Sequence, residues 1–244
     1  MPGNNKKNVI WFVGAGPGDP ELITVKGRNL LDRADVLLYA GSLVNPALVA
    51  SCPAAEKVDS WGMNLDDMVA LMADRVAKGK TVVRLHSGDP SIYGSIVEQI
   101  AELNKAGIDV KIVPGVSSVF AAAAALTTEY TPKGVSDTLI ITRPAGKTLE
   151  RDCIAELSKN PATMAFYLGS EYFTGITGKL ACPRDTPAVV IYHASWPDQK
   201  IITGTVADIA QKAQEAGITR SALLIVGWAV KGIDSGYLRS HLYS

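Results

Sequence analysis

Val13-Gly14-Ala15-Gly16-Pro17-Gly18-Asp19-Pro20 closes an apolar run that begins at Val9. A short apolar run ending in clustered glycines reads as a buried strand followed by a sharp backbone turn. In open α/β sheets ligands bind beyond the carboxyl ends of the strands, so this loop is expected to border a site. One reading is a phosphate cradle. A dinucleotide fingerprint is Gly-x-Gly-x-x-Gly with an acid at the end of the second strand. Here Asp19 stands where the third glycine belongs, and the second strand ends Tyr39-Ala40-Gly41-Ser42 without an acid. A carboxylate at that place repels a pyrophosphate. No Gly-Lys-Ser/Thr follows, which excludes a Walker loop. A plain structural turn is the other reading.

Outward from this loop the chain alternates strands and helices. Pro20 suits a first helical turn, and Glu21–Arg33 carries Leu22, Val25, Leu30 and Leu31 at helical spacing toward a core. Strands are expected at 35–39, 56–59, 81–85 and 110–113. Helices are expected at 46–50, at 64–78 with Asn64 as cap and Gly79 as stop, from Ser91 to Gly107, and at 119–126. This alternation predicts an α/β fold with a largely parallel sheet. After a polar crossing segment, 127–134, strands are expected at 138–142, 163–168, 188–192, 199–203 and 222–226, with helices at 150–159, 171–181 and 206–216. The strands 188–192 and 199–203 leave no room for a helix between them, so they form a hairpin and the second sheet is mixed. The expected division is an N-terminal α/β domain, 1–115, and a C-terminal one, 116–244.

Composition narrows the function. The chain has 244 residues, 47% hydrophobic and only 7% aromatic, with 24 basic and 24 acidic side chains. The zero formal charge, with only Lys6-Lys7 paired, argues against a nucleic-acid partner. Cys52, Cys153 and Cys182 lie far apart and match neither a disulfide framework nor a metal-ligand spacing, so no metal is expected and a cytoplasmic setting is. No signal peptide is expected at the start. The apolar run Val119–Leu126 is far short of the roughly 20 residues that a membrane helix needs.

Three further strand ends, Ala40-Gly41-Ser42 among them, share the edge of the first loop. Gly-Asp-Pro recurs at Gly88-Asp89-Pro90, and Ser117-Ser118 follows Pro114-Gly115. Asp19 and Asp89 each suit a cap on the next helix. Small-residue turns along one edge let a ligand approach the backbone, and acids with few cations suit a neutral or cationic ligand better than a polyphosphate.

These stretches resemble the S-adenosylmethionine-dependent tetrapyrrole methyltransferases, which build the corrin ring and sirohaem. The resemblance rests on Val13 to Gly27, Gly88-Asp-Pro-Ser-Ile-Tyr-Gly94 and Val113-Pro-Gly-Val-Ser-Ser118, in the family's order and spacing. Within the family, Tyr39-Ala-Gly-Ser-Leu-Val44, His86-Ser-Gly-Asp-Pro90 and Gly227-Trp-Ala-Val230 resemble members that methylate C11 of precorrin-4. Tyr192-His-Ala-Ser-Trp-Pro-Asp198 and Tyr237 to Tyr243 resemble those acting on cobalt-precorrin-4 in the anaerobic cobalamin route. The resemblance implies a C-methyltransferase of two α/β domains with a cofactor cleft between them, working as a homodimer. It implies S-adenosylmethionine contacts at Pro17, Ser87, Gly88, Asp89, Ile92, Ser117, Ser118, Leu168, Ala194 and Ala222, with Gly16 and the glycine loop facing the tetrapyrrole. Methylation at another corrin position, or of uroporphyrinogen, is the alternative within the family, and a dinucleotide-binding protein the alternative outside it. Some members that methylate other positions carry an acid after the second strand and a lysine after the third. Tyr39-Ala40-Gly41-Ser42 and the region near Ser60 have neither, so no catalytic base is assigned.

The substrate of such an enzyme carries many carboxylates, for which basic groups are wanted. Lys26, Arg84, Lys133, Arg143 and Lys147 are candidates, each weighed against the ordinary solvated surface charge. His86 and Tyr93 are candidate substrate contacts, with structural packing as the competing role. His193 neighbours the expected adenine contact at Ala194, and His241 is expected in solvent. Trp11 and Trp228 are expected in the core.

Overall fold

The structure, a computed structural model, describes residues 8–41, 43–235 and 238–239. Ser42, Lys6-Lys7, His241 and all of the Tyr237–Tyr243 tail except Leu238 and Arg239 lie outside them. Contacts divide the chain into two compact units, Met1–Ser118 and Val119–Ser244.

The first unit holds β1 (Val9–Gly14), α1 (Val25–Leu31), β2 (Val36–Tyr39), α2 (Pro46–Ser51), β3 (Glu56–Asp59), α3 (Leu65–Ala77), β4 (Val82–His86), α4 (Ile96–Lys105) and β5 (Asp109–Val113). All strand pairs are parallel, in the order β3-β2-β4-β1-β5. Parallel strands buried on both faces read as continuous apolar runs, as Val82-Val83 and Val36-Leu37-Leu38 do. One face packs Val13, Leu37, Val83 and Leu85 against Leu31 of α1 and Leu48 of α2. The other packs Ile10, Phe12, Val36 and Leu38 against Met72 and Val76 of α3 and Ile96 and Leu103 of α4. β1 and β4 are thus neighbours whose following helices cover opposite faces. Such a switch point opens a crevice at the carboxyl ends of the strands, where open α/β sheets take their ligands.

The second unit holds α5 (Ser118–Ala125, which begins one residue before the division), β6 (Leu139–Thr142), α6 (Ile154–Leu157), β7 (Thr163–Phe166), α7 (Phe173–Lys179), β8 (Pro187–Tyr192), β9 (Lys200–Thr205), α8 (Ile209–Glu215) and β10 (Ala222–Val226). The order is β6-β7-β10-β8-β9, with β6·β7 parallel and the remaining pairs antiparallel, including the β8–β9 hairpin. One face packs Phe166, Val190 and Leu224 against Phe173, Ile176 and Ile209. The other packs Ala165, Val189 and Ile225 against Val119 and Ala122 of α5.

Several helices start later than the periodicity suggests. Pro20–Leu22 is a separate 3-10 turn, with Asp19 Oδ1 accepting the Glu21 N–H at 2.9 Å. α1 begins anew at Val25 because Thr24 caps it, its Oγ1 accepting the Gly27 N–H at 3.1 Å. Val25 therefore stands in the first turn, 79% exposed, and not in the core. α4 begins at Ile96 and not Ser91, because Tyr93 (φ +54°) and Ser95 (φ +48°) are left-handed and cannot continue a helix. α6 is a single turn where a helix over 150–159 is expected.

The loops after β1, β4 and β5 are packed backbone against backbone. A Cβ on Gly115 would stand 2.2 Å from the Gly88 carbonyl oxygen and 2.7 Å from Gly14 Cα. Gly115→Ala must therefore part these loops, an overpacking cost of about 1–3 kcal/mol. The expected result is a lower urea midpoint in tryptophan fluorescence, and an unchanged midpoint would mean that the loops separate freely.

Candidate functional site at the strand ends

The glycine loop spends its amides on its own chain. Ala15 N–H donates to the His86 carbonyl at 2.7 Å, and Gly16 and Gly88 exchange both backbone hydrogen bonds at 3.3 and 2.8 Å. This bridge spans the switch point between β1 and β4. Gly16 (φ +82°) and Gly88 (φ +60°) occupy the left-handed region that glycine enters without a Cβ penalty. Gly16, Pro17 and Gly18 are buried, and the Gly18 carbonyl accepts from Asn45 Nδ2 at 2.8 Å. The Ala15 and Gly16 amides are committed to carbonyls and are not free to hold a phosphate.

Asp89 joins the third loop to these two. Its Oδ2 accepts the Gly115 N–H at 2.8 Å, and its Oδ1 accepts the Ser91 N–H at 2.8 Å and the Ser91 hydroxyl. Burial works to raise its pKa, but the hydrogen bonds from Ser91 and Gly115 outweigh it, and the net shift is downward. A carboxylate has about four lone-pair positions, so it retains acceptor capacity. Ser117 is buried across from Gly88, whose added Cβ would lie 3.7 Å from Ser117 Cα. Ser87, Gly88, Asp89, Ile92, Ser117 and Ser118 thus belong to two adjoining strand-end segments, with Pro17 in the loop bridged to them. Tyr93, 41% exposed, stands in the irregular turn before α4.

The basic candidates separate in this unit. Lys26 is exposed, its ammonium 5.5 Å from the Trp11 ring centroid, with Lys111 at 5.4 Å from the same ring. Arg84 and His86 are buried, at 4% and 7% exposure. They are two apart on β4 and so point to one face, the one covered by α3 and α4. Burial lowers the Arg84 pKa to about 10, with the charge of Asp59 acting in the opposite sense. Burial first, and Arg84 second, push His86 down to about 3, so its imidazole is neutral.

In the second unit the remaining candidates share one sheet edge. β10 runs antiparallel to β7 and β8, so the start of β10 lies beside their carboxyl ends. Leu168 (φ +55°, 59% exposed) follows β7, Ala194 (6% exposed) follows β8 and Ala222 (8% exposed) opens β10. Ser170 ties the first and last together, since its Oγ donates to the Ala222 carbonyl at 3.0 Å and accepts the Ala222 N–H at 3.1 Å. The His193 N–H donates to the Ser221 carbonyl at 3.1 Å. Non-glycine residues with positive φ gather here, namely Leu168, His193 (+49°), Ser195 (+72°) and Ser221 (+52°). Such strain persists only where surrounding structure enforces it, and it concentrates at functional sites.

Other candidates fall elsewhere. His193 is stacked between Tyr192 and Trp196, at 3.8 and 5.0 Å between ring centroids, with Nδ1 3.0 Å from Asp198. Arg143 donates to Thr148 Oγ1 and carbonyl at 2.7 and 2.9 Å, Lys133 to the Arg239 carbonyl at 3.0 Å, and Lys147 is exposed. Trp11 is partly buried. Trp228 is 47% exposed beneath Lys231 and not in the core, because it follows β10 in a 3-10 segment and not in the sheet. The cysteines are free thiols. Among the described residues no helix is long and apolar enough to cross a membrane, and no cluster of three metal-ligating side chains occurs. Sequence reasoning missed Asn45, Ser170 and Asp59. Asn45 before Pro46 is a readable cap signal, but its reach back to Gly18 has no local signature.

Two α/β units, one parallel and one mixed, each carrying its candidate residues at a strand edge, define a class of two-unit α/β enzymes. Residues 9–210 match the family of Tetrapyrrole (Corrin/Porphyrin) Methylases. A cobalt-precorrin-4 C(11)-methyltransferase of Methanocaldococcus jannaschii is 51% identical, over 92% of this chain and 88% of its own. The X-ray structure of a cobalamin biosynthetic enzyme, cobalt precorrin-4 methyltransferase, is similar with a TM-score of 0.90 and 44% identity, over 94% of this chain and 98% of that one. A uroporphyrin-III C-methyltransferase of Thermus thermophilus, in complex with S-adenosylhomocysteine, is similar at TM-score 0.79 and 27% identity, over 91% and 93% of the two chains. The chain belongs to the tetrapyrrole methylases.

Asp89→Asn tests the clamp. The folded pKa of Asp89 lies below its unfolded value, so its charge stabilises the fold fully above about pH 4 and less as pH falls through the folded value. The variant is expected to melt a few degrees lower at neutral pH, with the gap to wild type closing in acid.

Proposed function

We propose that this protein transfers the methyl group of S-adenosylmethionine to C11 of precorrin-4, with the cobalt-bearing form favoured, in the making of cobalamin. The similarity to an enzyme named for that reaction, over nine-tenths of the chain, carries the reading. The donor chemistry of the strand ends supports it. The ligand has an ammonium, a ribose diol and an adenine ring. The first unit offers hydroxyls at Ser87, Ser117 and Ser118 and acceptor capacity at Asp89, with Pro17, Gly88 and Ile92 beside them. The second offers an exposed apolar Leu168 with small Ala194 and Ala222, which admit a flat ring. Both backbone groups of Ala222 are bonded to Ser170, so Ala222 serves by its size.

The bound methyl donor supplies a methyl on a sulfonium, which an electron-rich ring carbon takes in one displacement. The chain's part is to align the partners and exclude water, and alignment alone supplies up to roughly 7–11 kcal/mol in favourable cases. Gly16, Lys26 and Tyr93 are proposed as substrate contacts, alongside Arg84 and His86. The working form is proposed to be a homodimer in the cytoplasm. The three scattered cysteines support the compartment, and the family resemblance supports the dimer.

Calorimetry with S-adenosylhomocysteine and with NADH separates this reading from a dinucleotide-binding one. Binding of S-adenosylhomocysteine alone is expected, and binding of NADH alone would contradict it. Gly88→Arg, which extends a long side chain from beside Ser117, is expected to abolish that binding. A folded variant with unchanged affinity would refute the site.

A further inference from the structure

Arg84 carries an unanswered charge. Among the described residues its Nε and Nη1, and His86 Nε2, are buried without a hydrogen-bond partner, and the Arg84 Nη2 reaches the Met68 sulfur at 3.9 Å. Buried charges are as a rule paired, because an unpaired one costs several kcal/mol or titrates away. An arginine cannot titrate away at neutral pH.

The carboxylate whose charge Arg84 feels is Asp59, and the fold holds it off. Asp59 Oδ1 accepts the Gly41 and Trp61 N–H groups, each at 2.9 Å. Gly41 makes this possible, since a Cβ there would stand 2.0 Å from Asp59 Oδ2. Among the described residues no ion pair reaches the guanidinium.

His86 is the last residue of β4, and its ring packs 5.6 Å from that of Phe12. Ser87-Gly88-Asp89 follows at once. The neutral imidazole offers one further hydrogen bond on the Arg84 side of the sheet. An unpartnered guanidinium N–H and an imidazole nitrogen, two residues apart on one face, can each meet one oxygen of the same carboxylate.

We propose that Arg84 and His86 together receive one carboxylate arm of the polycarboxylate ring, and so set its position beside the methyl donor. This rests on the reading that the substrate is a tetrapyrrole. Asp59, tied to the Gly41 and Trp61 N–H groups, leaves the guanidinium donors to the incoming arm.

The test uses uroporphyrin as an anionic ring probe, titrated by fluorescence into the full chain, with S-adenosylhomocysteine binding by calorimetry as the control. Arg84→Met and His86→Gln are expected to weaken uroporphyrin binding by about 10- to 100-fold, the worth of a charge-assisted hydrogen bond. S-adenosylhomocysteine affinity is expected to stay unchanged, and Arg84→Lys to keep part of the affinity. The melting temperature of Arg84→Met is expected to hold or rise, because a buried unpaired charge has been removed. A marked fall in melting temperature would assign Arg84 to the fold and overturn the proposal. So would unchanged uroporphyrin affinity in both variants, or a wild-type chain that binds S-adenosylhomocysteine but no uroporphyrin. A wild-type chain that binds neither overturns the methyltransferase reading itself.

Discussion

Backbone-on-backbone contact among Gly14, Gly16, Gly88 and Gly115 sets the geometry of the first unit's carboxyl edge. A side chain at Gly14 or Gly115 would collide with main-chain atoms of the other loops. The Gly16–Gly88 bridge and the Asp89 carboxylate then fix the three loops in register. The proposed cofactor residues of this unit hang from these loops, so their mutual placement follows from contacts that tolerate almost no added atom. Two amides of the glycine-rich turn, those of Ala15 and Gly16, are spent in stitching β1 to β4 and not on a phosphate.

The second unit solves the same problem with different means. Its edge is shaped by non-glycine residues held at positive φ and by the Ser170 hydroxyl bridging to Ala222. Strain of order 1–3 kcal/mol per residue is tolerable there because the antiparallel β7-β10-β8 ladder beneath is buried and continuous. A continuous sheet carries the strained rim.

Much of this was legible in the sequence. The strand–helix alternation of the first half announces a largely parallel sheet, and the six residues between Tyr192 and Gln199 leave only a hairpin. The strand-end motifs Gly88-Asp89-Pro90 and Ser117-Ser118 lie on one edge of the first unit, and the resemblance to the tetrapyrrole methylases holds over the matched residues 9–210. Helix starts were less legible, because Thr24 and the left-handed Tyr93 and Ser95 override an apolar period that runs through them. Trp228 was misplaced because apolar character alone does not tell a strand from the turn after it. The roles of the glycines were also hidden. Local sequence shows that Gly14 is flexible, but only the fold brings Gly115 against it. Arg84 could be read as one cation among several, and its burial between α3, α4 and β4 is a tertiary fact.

The destination of the methyl group is the decisive property of this protein. Incubation with cobalt-precorrin-4 and S-adenosylmethionine carrying a carbon-13 methyl, followed by NMR of the product, answers this directly. A single new labelled methyl, bonded to C11, is expected. Label at another ring carbon, or none transferred to any tetrapyrrole, would contradict it.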